Sequence, residues 1–175
     1  VIVHRKDSNL TNENDRDGGK DLSGGCAIKT TETDQRGTTE IMYRILLVDD
    51  EILVRDAIRE NIDWKAMDCE LVGDCDNGKA AAEFVQNHPV DIVLTDILMP
   101  YMDGMELSRF LHDNYPDIVI VIFSGFGEFE YAKKAIQYGV SEYMLKPVTA
   151  MELRNVIGKM KEKVDQQRKE KEKLE

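Results

Sequence analysis

Between residues 43 and 164, short apolar runs alternate with segments whose apolar residues recur every three or four positions. Residues 45–48, 92–94 and 118–123 are continuous hydrophobic blocks. A strand that is apolar at every position is covered on both faces, as in a parallel sheet. The pattern predicts strands over 44–48, 70–74, 92–95, 119–123 and 141–144. Between them Val54, Ala57, Ile58 and Ile62 keep helical spacing, as do Leu107, Phe110 and Leu111. Ala132, Ala135 and Ile136 do the same ahead of Gly139, a helix stop. Asp76, Asn77 and Gly78 form a turn signal leading into a helix over 79–86. A last helix is predicted from Thr149 as N-cap, with Leu153, Val156, Ile157, Met160 and Val164 on one stripe. Five β–α units of this kind predict an α/β fold in three layers, a parallel sheet between two sets of helices.

The flanks have a different texture. Residues 1–41 are rich in Asn, Asp, Gly and Thr and lack a periodic apolar pattern. Such a stretch cannot bury enough surface to offset the entropy of ordering, so it is expected to be a disordered N-terminal extension. Residues 42–164 form the expected domain. Residues 165–175 read as a charged helical linker, because the apolar stripe fades after Val164.

Charge sharpens this division. The chain carries a formal net charge of −11, and residues 42–148 alone hold 9 basic against 20 acidic side chains. That field repels phosphate backbones and argues against direct nucleic-acid binding, while favouring a cation. The longest apolar run is six residues, far short of a membrane helix. Three cysteines without a Cys-x-x-Cys pair predict a reduced, cytoplasmic setting.

The chemistry gathers at the carboxyl ends of the predicted strands, where ligands bind in sheets of this class. The first strand delivers Asp49 and Asp50, the third Asp96, the fourth Ser124 and the fifth Lys146. Adjacent carboxylates disfavour one another's ionised form unless something positive lies between them. Mg²⁺, a hard cation taking oxygen ligands and keeping several waters, meets that need. Asp96 is then the candidate nucleophile for an aspartyl phosphate, with Lys146 and Ser124 taking up the charge of the phosphoryl oxygens.

The segments "VDDE", "DIVLTDILMPYMDG", "FSG" and "YMLKP", in this order and spacing, resemble the receiver domain of bacterial two-component response regulators. More narrowly, "NIDW" and "SGFGEFEYAKKAIQYGVSEYMLKPV" resemble receivers joined to AraC-type helix-turn-helix output domains. The resemblance implies a flavodoxin-like (βα)5 fold and a phosphorylation-controlled switch rather than a turnover enzyme. It implies Asp96 as phosphoacceptor, and Mg²⁺ bound by Asp50, Asp96 and the Leu98 backbone carbonyl, with Asp49 acting largely through water. It also implies Ser124 as switch hydroxyl, Tyr143 as switch aromatic, Lys146 bridging to the phosphoryl group, and a cis Lys146–Pro147 peptide. The implied partners are a sensor histidine kinase and, on phosphorylation, a second copy meeting the face of the fourth helix, fifth strand and fifth helix. Transcription regulation is the implied context, through a DNA-binding output domain beyond this segment.

Other readings carry less. Aspartyl-phosphate phosphatases use a similar pocket, but place a second acid two residues after the nucleophile, where this chain has Leu98. His4, His88 and His112 show no metal-ligand spacing. The resemblance implies that the side chains two positions after the phosphoacceptor and the switch hydroxyl help set the lifetime of the phosphoryl group. Here these are the apolar Leu98 and Phe126, so slow loss is expected.

Overall fold

The computed structural model describes residues 27–28, 41–125 and 129–175. Its strands are β1 (Ala27–Ile28), β2 (Tyr43–Val48), β3 (Cys69–Cys75), β4 (Ile92–Asp96), β5 (Val119–Ser124) and β6 (Glu142–Leu145). Its helices are α1 (Ile52–Asn61), α2 (Gly78–Asn87), α3 (Gly104–Asn114), α4 (Phe129–Gln137) and α5 (Ala150–Leu174). The five strands expected from the apolar runs are β2 to β6, each within one residue of its predicted limits. They are all parallel, in the order β3-β2-β4-β5-β6. β1 adds an antiparallel edge, Ala27 opposite Asp74 and Ile28 opposite Gly73. It lies inside the segment expected to lack structure; the rest of residues 1–40 falls outside the described residues.

The continuous apolar strands are explained by two cores. On one face Ile45, Leu47, Leu94, Val121 and Phe123 pack with Leu153, Val156, Ile157 and Met160 of α5 and with Ile58 of α1. On the other, Leu46, Val48, Val93, Ile120 and Ile122 meet Ala81 and Phe84 of α2, Leu107 and Leu111 of α3 and Ala135 of α4. Helix starts follow local chemistry. The Asn77 side chain accepts from the Ala80 N–H, and Asp103 with Glu106 and Thr149 with Glu152 form reciprocal capping boxes. These caps place the first turns of α2, α3 and α5 directly after the loops that carry polar side chains.

The charged run that begins at residue 165 is helical, as expected, and is continuous with the rest of α5. The helix runs unbroken to Leu174, and its charged portion is docked on the base of the sheet. The Tyr43 hydroxyl donates to Asp165 at 2.7 Å, Arg168 pairs with Asp91 at 2.9 Å, and Lys171 pairs with Asp117. Burial, followed by the hydrogen bond to Asp165, pushes the Tyr43 phenol up to about 12. Burial would raise Asp91 too, but the hydrogen bonds from Arg44 and the charges of Arg44 and Arg168 overrule it and hold the carboxyl below its ordinary value.

Cys69 carries a free, buried thiol, whereas Cys75 is disulfide-bonded. The expectation of reduced cysteines therefore holds for Cys69 and not for Cys75. An odd cysteine count excludes a fully paired set but permits one bond. Among the described residues no helix is long and apolar enough to cross a membrane.

Candidate functional site

Strand order reverses between β2 and β4, which run side by side and continue to β3 on one flank and β5 on the other. Side chains that follow their carboxyl ends converge on one rim. Asp49 and Asp50 follow β2, Asp96 closes β4, Ser124 closes β5 and Lys146 follows β6. The carboxylates of Asp49, Asp50 and Asp96 each offer an oxygen, and these oxygens lie within 4.8 Å of one another. Asp49 is wholly buried, Asp96 is buried and Asp50 is exposed, so the group forms a floor and an open lip.

Lys146 joins the cluster through two of its carboxylates. Its Nζ lies 2.9 Å from Asp49 Oδ2 and 3.2 Å from Asp96 Oδ1. The other Asp49 oxygen accepts from the Glu51 N–H at 2.9 Å. Burial would depress Lys146, but its hydrogen bond to Asp49 and the charges of Asp49 and Asp96 keep it above the usual lysine value. Asp96 goes the other way. Burial and the neighbouring Asp49 charge push it up to about 6, against the opposing pull of Lys146 and the Ile97 N–H. One ammonium therefore faces three carboxylates and leaves the site short of positive charge.

Ser124 Oγ is buried and has no hydrogen-bond partner among the described residues. A lone buried hydroxyl at the rim of an acidic pocket is a donor still in need of an acceptor. The Lys146 N–H donates to the Ser124 carbonyl at 2.7 Å, and Ser124 stands opposite Leu145 in register, which ties the ends of β5 and β6 together. Tyr143, opposite Ile122, is half-buried against the second core. The Lys146–Pro147 peptide is cis. Leu98 follows Asp96 with an exposed side chain, and Phe126 lies outside the described residues.

The loop after β4 is held tightly. Gly104 N–H donates to the Ile97 carbonyl at 2.7 Å, and a Cβ placed on Gly104 would lie 2.0 Å from the Asp96 carbonyl oxygen. Only glycine permits this approach. Tyr101, 84% exposed in the same loop, sits at a φ of 66°, a left-handed conformation unfavourable for a bulky side chain.

One part of the site was not foreseen. Arg55 of α1 donates to the Asp49 backbone carbonyl at 2.5 Å and to Asp74 at 3.2 Å, and Arg59 also pairs with Asp74. Two arginines four residues apart on a helix beginning beside the acids were the available signal. Their partner on β3 required the sheet order to be known.

Comparison with known proteins agrees with this architecture. The family model described as response regulator receiver domain matches residues 45–158. The uncharacterized transcriptional regulatory protein YesN of Bacillus subtilis is 42% identical over 112 residues, 64% of this chain and 30% of its own length. The transcriptional regulatory protein HptR of Staphylococcus aureus is 30% identical over 119 residues, 68% of this chain and 46% of its own. The chain thus spans less than half the length of these relatives. Among solved structures, the REC domain of AraT, a response regulator from Geobacillus stearothermophilus, superposes with a TM-score of 0.69 at 37% identity, covering 73% of this chain and 99% of that one. A two component transcriptional regulator AraC from Clostridium phytofermentans gives a TM-score of 0.66 at 37% identity, covering 71% and 96%. Motif order, sheet topology and these similarities agree, and the chain belongs to the response regulator receiver domain family.

Proposed function

We propose that this domain accepts a phosphoryl group on Asp96 from a sensor histidine kinase and so switches a surface that governs transcription. The observation that carries this reading is the Lys146 ammonium between Asp49 and Asp96, with Asp50 completing a three-carboxylate cluster. An Asp96 oxygen attacks the phosphorus of a phosphohistidine; the P–N bond breaks, a P–O bond forms, and the imidazole takes up a proton. The all-oxygen donor set suits Mg²⁺. Asp50, Asp96 and the Leu98 carbonyl would hold the ion, with Asp49 bonded through water. Bound there, it supplies charge compensation for the phosphoryl oxygens. Lys146 turns from Asp96 to the new phosphoryl group, and Ser124 donates its unpartnered hydroxyl to it.

Moving Ser124 inward vacates space toward β6, into which Tyr143 turns its ring. The face of α4, β6 and α5 then changes, a two-state element biased by a local charge. Ile136, Leu145 and Met151 are exposed on those three elements and supply apolar area for a second copy. The exposed Ile52 and Leu53, beside a cleft that Lys146 and Pro147 line, offer the kinase an apolar docking face. The setting is the cytoplasm, where a kinase and a DNA-binding output domain would meet it.

Intact mass after treatment with Mg²⁺ and acetyl phosphate tests the assignment. One phosphoryl group is expected on wild type and none on Asp96→Ala. An equal yield in both rejects it.

A further inference from the structure

We infer that Arg55 is a positioning residue that latches the metal-binding acids to the base of the pocket through the main chain. The inference rests on the reading of Asp50 and Asp96 as Mg²⁺ ligands. Asp50 is exposed and follows β2 directly, so its placement depends on the peptide joining it to Asp49. The oxygen of that peptide is the Asp49 carbonyl, and Arg55 donates to it at 2.5 Å. The peptide on the other side of Asp49 is fixed separately, by an Asp49 N–H bond to the Cys75 carbonyl at 3.1 Å.

Arg55 is itself held. Its side chain is only 12% exposed and its Nε bonds Asp74, which is 11% exposed and shared with Arg59. The planar guanidinium can serve a carboxylate and a carbonyl at once because its donors leave in fixed directions. The chain of contacts thus runs from Arg59 through Asp74 and Arg55 to the Asp49–Asp50 peptide. Arg59 shares the ion pair but touches nothing in the acidic loop among its hydrogen bonds to described residues, which are to Asp56 and Asp74. This difference separates positioning from mere stability.

The experiment compares Arg55→Gln with Arg59→Gln in the full chain, by calorimetric titration with Mg²⁺ and by the Asp50 backbone amide resonance in metal-free protein. Both variants lose part of the Asp74 ion pair. Only Arg55→Gln is expected to weaken Mg²⁺ binding, by about tenfold, as is usual when a group orienting a ligand is removed. Only Arg55→Gln should shift or broaden the Asp50 amide. Equal Mg²⁺ affinities for wild type and Arg55→Gln, or equal losses in the two variants, would overturn the inference. Arg55→Lys keeps the charge but replaces two spaced nitrogens, Nε on Asp74 and Nη1 on the Asp49 carbonyl, by a single one; it supplies the same measurements if the glutamine variant does not fold. Should wild type bind no Mg²⁺, the metal reading fails, and an unchanged Asp50 amide would then be needed to reject the latch as well.

Discussion

Gly104 stands so close to Asp96 that its missing methyl group would lie 2.0 Å from the Asp96 carbonyl oxygen. The atom in the way belongs to the main chain at the end of a central strand and cannot swing aside. Gly104→Ala is therefore expected to destabilise the domain by about 3 kcal/mol, the upper range for overpacking. That corresponds to a fall in melting temperature of roughly 10 °C for a domain of this size. Thermal unfolding followed by circular dichroism checks it; an unshifted midpoint would mean that the loop gives way freely.

A carboxyl raised to about 6 makes stability depend on pH in a defined direction. The favourable contribution of protonated Asp96 is fully present below its ordinary value of 3.8 and is lost as pH rises through about 6. Metal-free Asp96→Asn should thus be more stable than wild type at pH 8, by on the order of 2 kcal/mol. The advantage should close toward pH 4. Melting curves of both proteins in chelator across this range measure it. A difference independent of pH would show that Asp96 carries no such strain.

Mg²⁺ should relieve the same conflict. Millimolar Mg²⁺ is expected to raise the wild-type melting temperature, by linkage between binding and folding. Asp50→Asn removes one like charge and one ligand, so its metal-free form should be no less stable and its response to Mg²⁺ smaller. Equal shifts in the two proteins would remove Asp50 from the metal site.

The docked end of α5 gives an independent test. Tyr43→Phe deletes the hydrogen bond to Asp165 while keeping the ring, and should cost about 1 kcal/mol. Arg168→Ala removes one of the two arginines on Asp91 and should speed amide exchange from residue 165 onward. Exchange in the core strands should stay unchanged. If the whole domain responds instead, the end of α5 is part of the core rather than an appendage clasped to it.

Lifetime is the last expectation. Leu98 cannot orient an attacking water by hydrogen bonding, so Leu98→Asn should hasten loss of the phosphoryl group from Asp96 by about tenfold, about 1.4 kcal/mol of barrier. Decay of phosphorylated protein after donor removal reads it directly. No change would assign the lifetime to other parts of the loop.

The fold was legible because its strands are buried on both faces, which makes them continuous apolar runs in the sequence, and because Thr149 and Asn77 announce their helices. The acids, Ser124 and Lys146 were legible for a topological reason: parallel strands bring their carboxyl ends to one rim wherever they lie in the chain. Arg55 left a mark only in its spacing from Arg59, and its partner Asp74 left none, since which strand neighbours the helix follows from the sheet order. The contacts made by the charged end of α5 were hidden for a related cause, although its helical course was legible. Asp165 and Arg168 look like surface charges until the buried Tyr43 and Asp91 are seen beneath them, whereas the Lys171–Asp117 pair stays at the surface. Cys75 shows that counting cysteines limits how many can pair, not whether any do.

The unbroken course of α5 makes it a lever. Its 25 residues span roughly 37 Å at the rise of an α-helix. Its first turns belong to the face that would answer phosphorylation, and its last pair with residues at the base of the sheet, just ahead of β4 and β5. A tilt of about 5° at the base would carry the tip of a rod this long through about 3 Å. With the tip clasped by Asp91 and Asp117, such a tilt must either break those ion pairs or be refused by them. The half-buried Arg168–Asp91 pair, more than the exposed Lys171–Asp117 pair, is therefore what such a tilt would have to break.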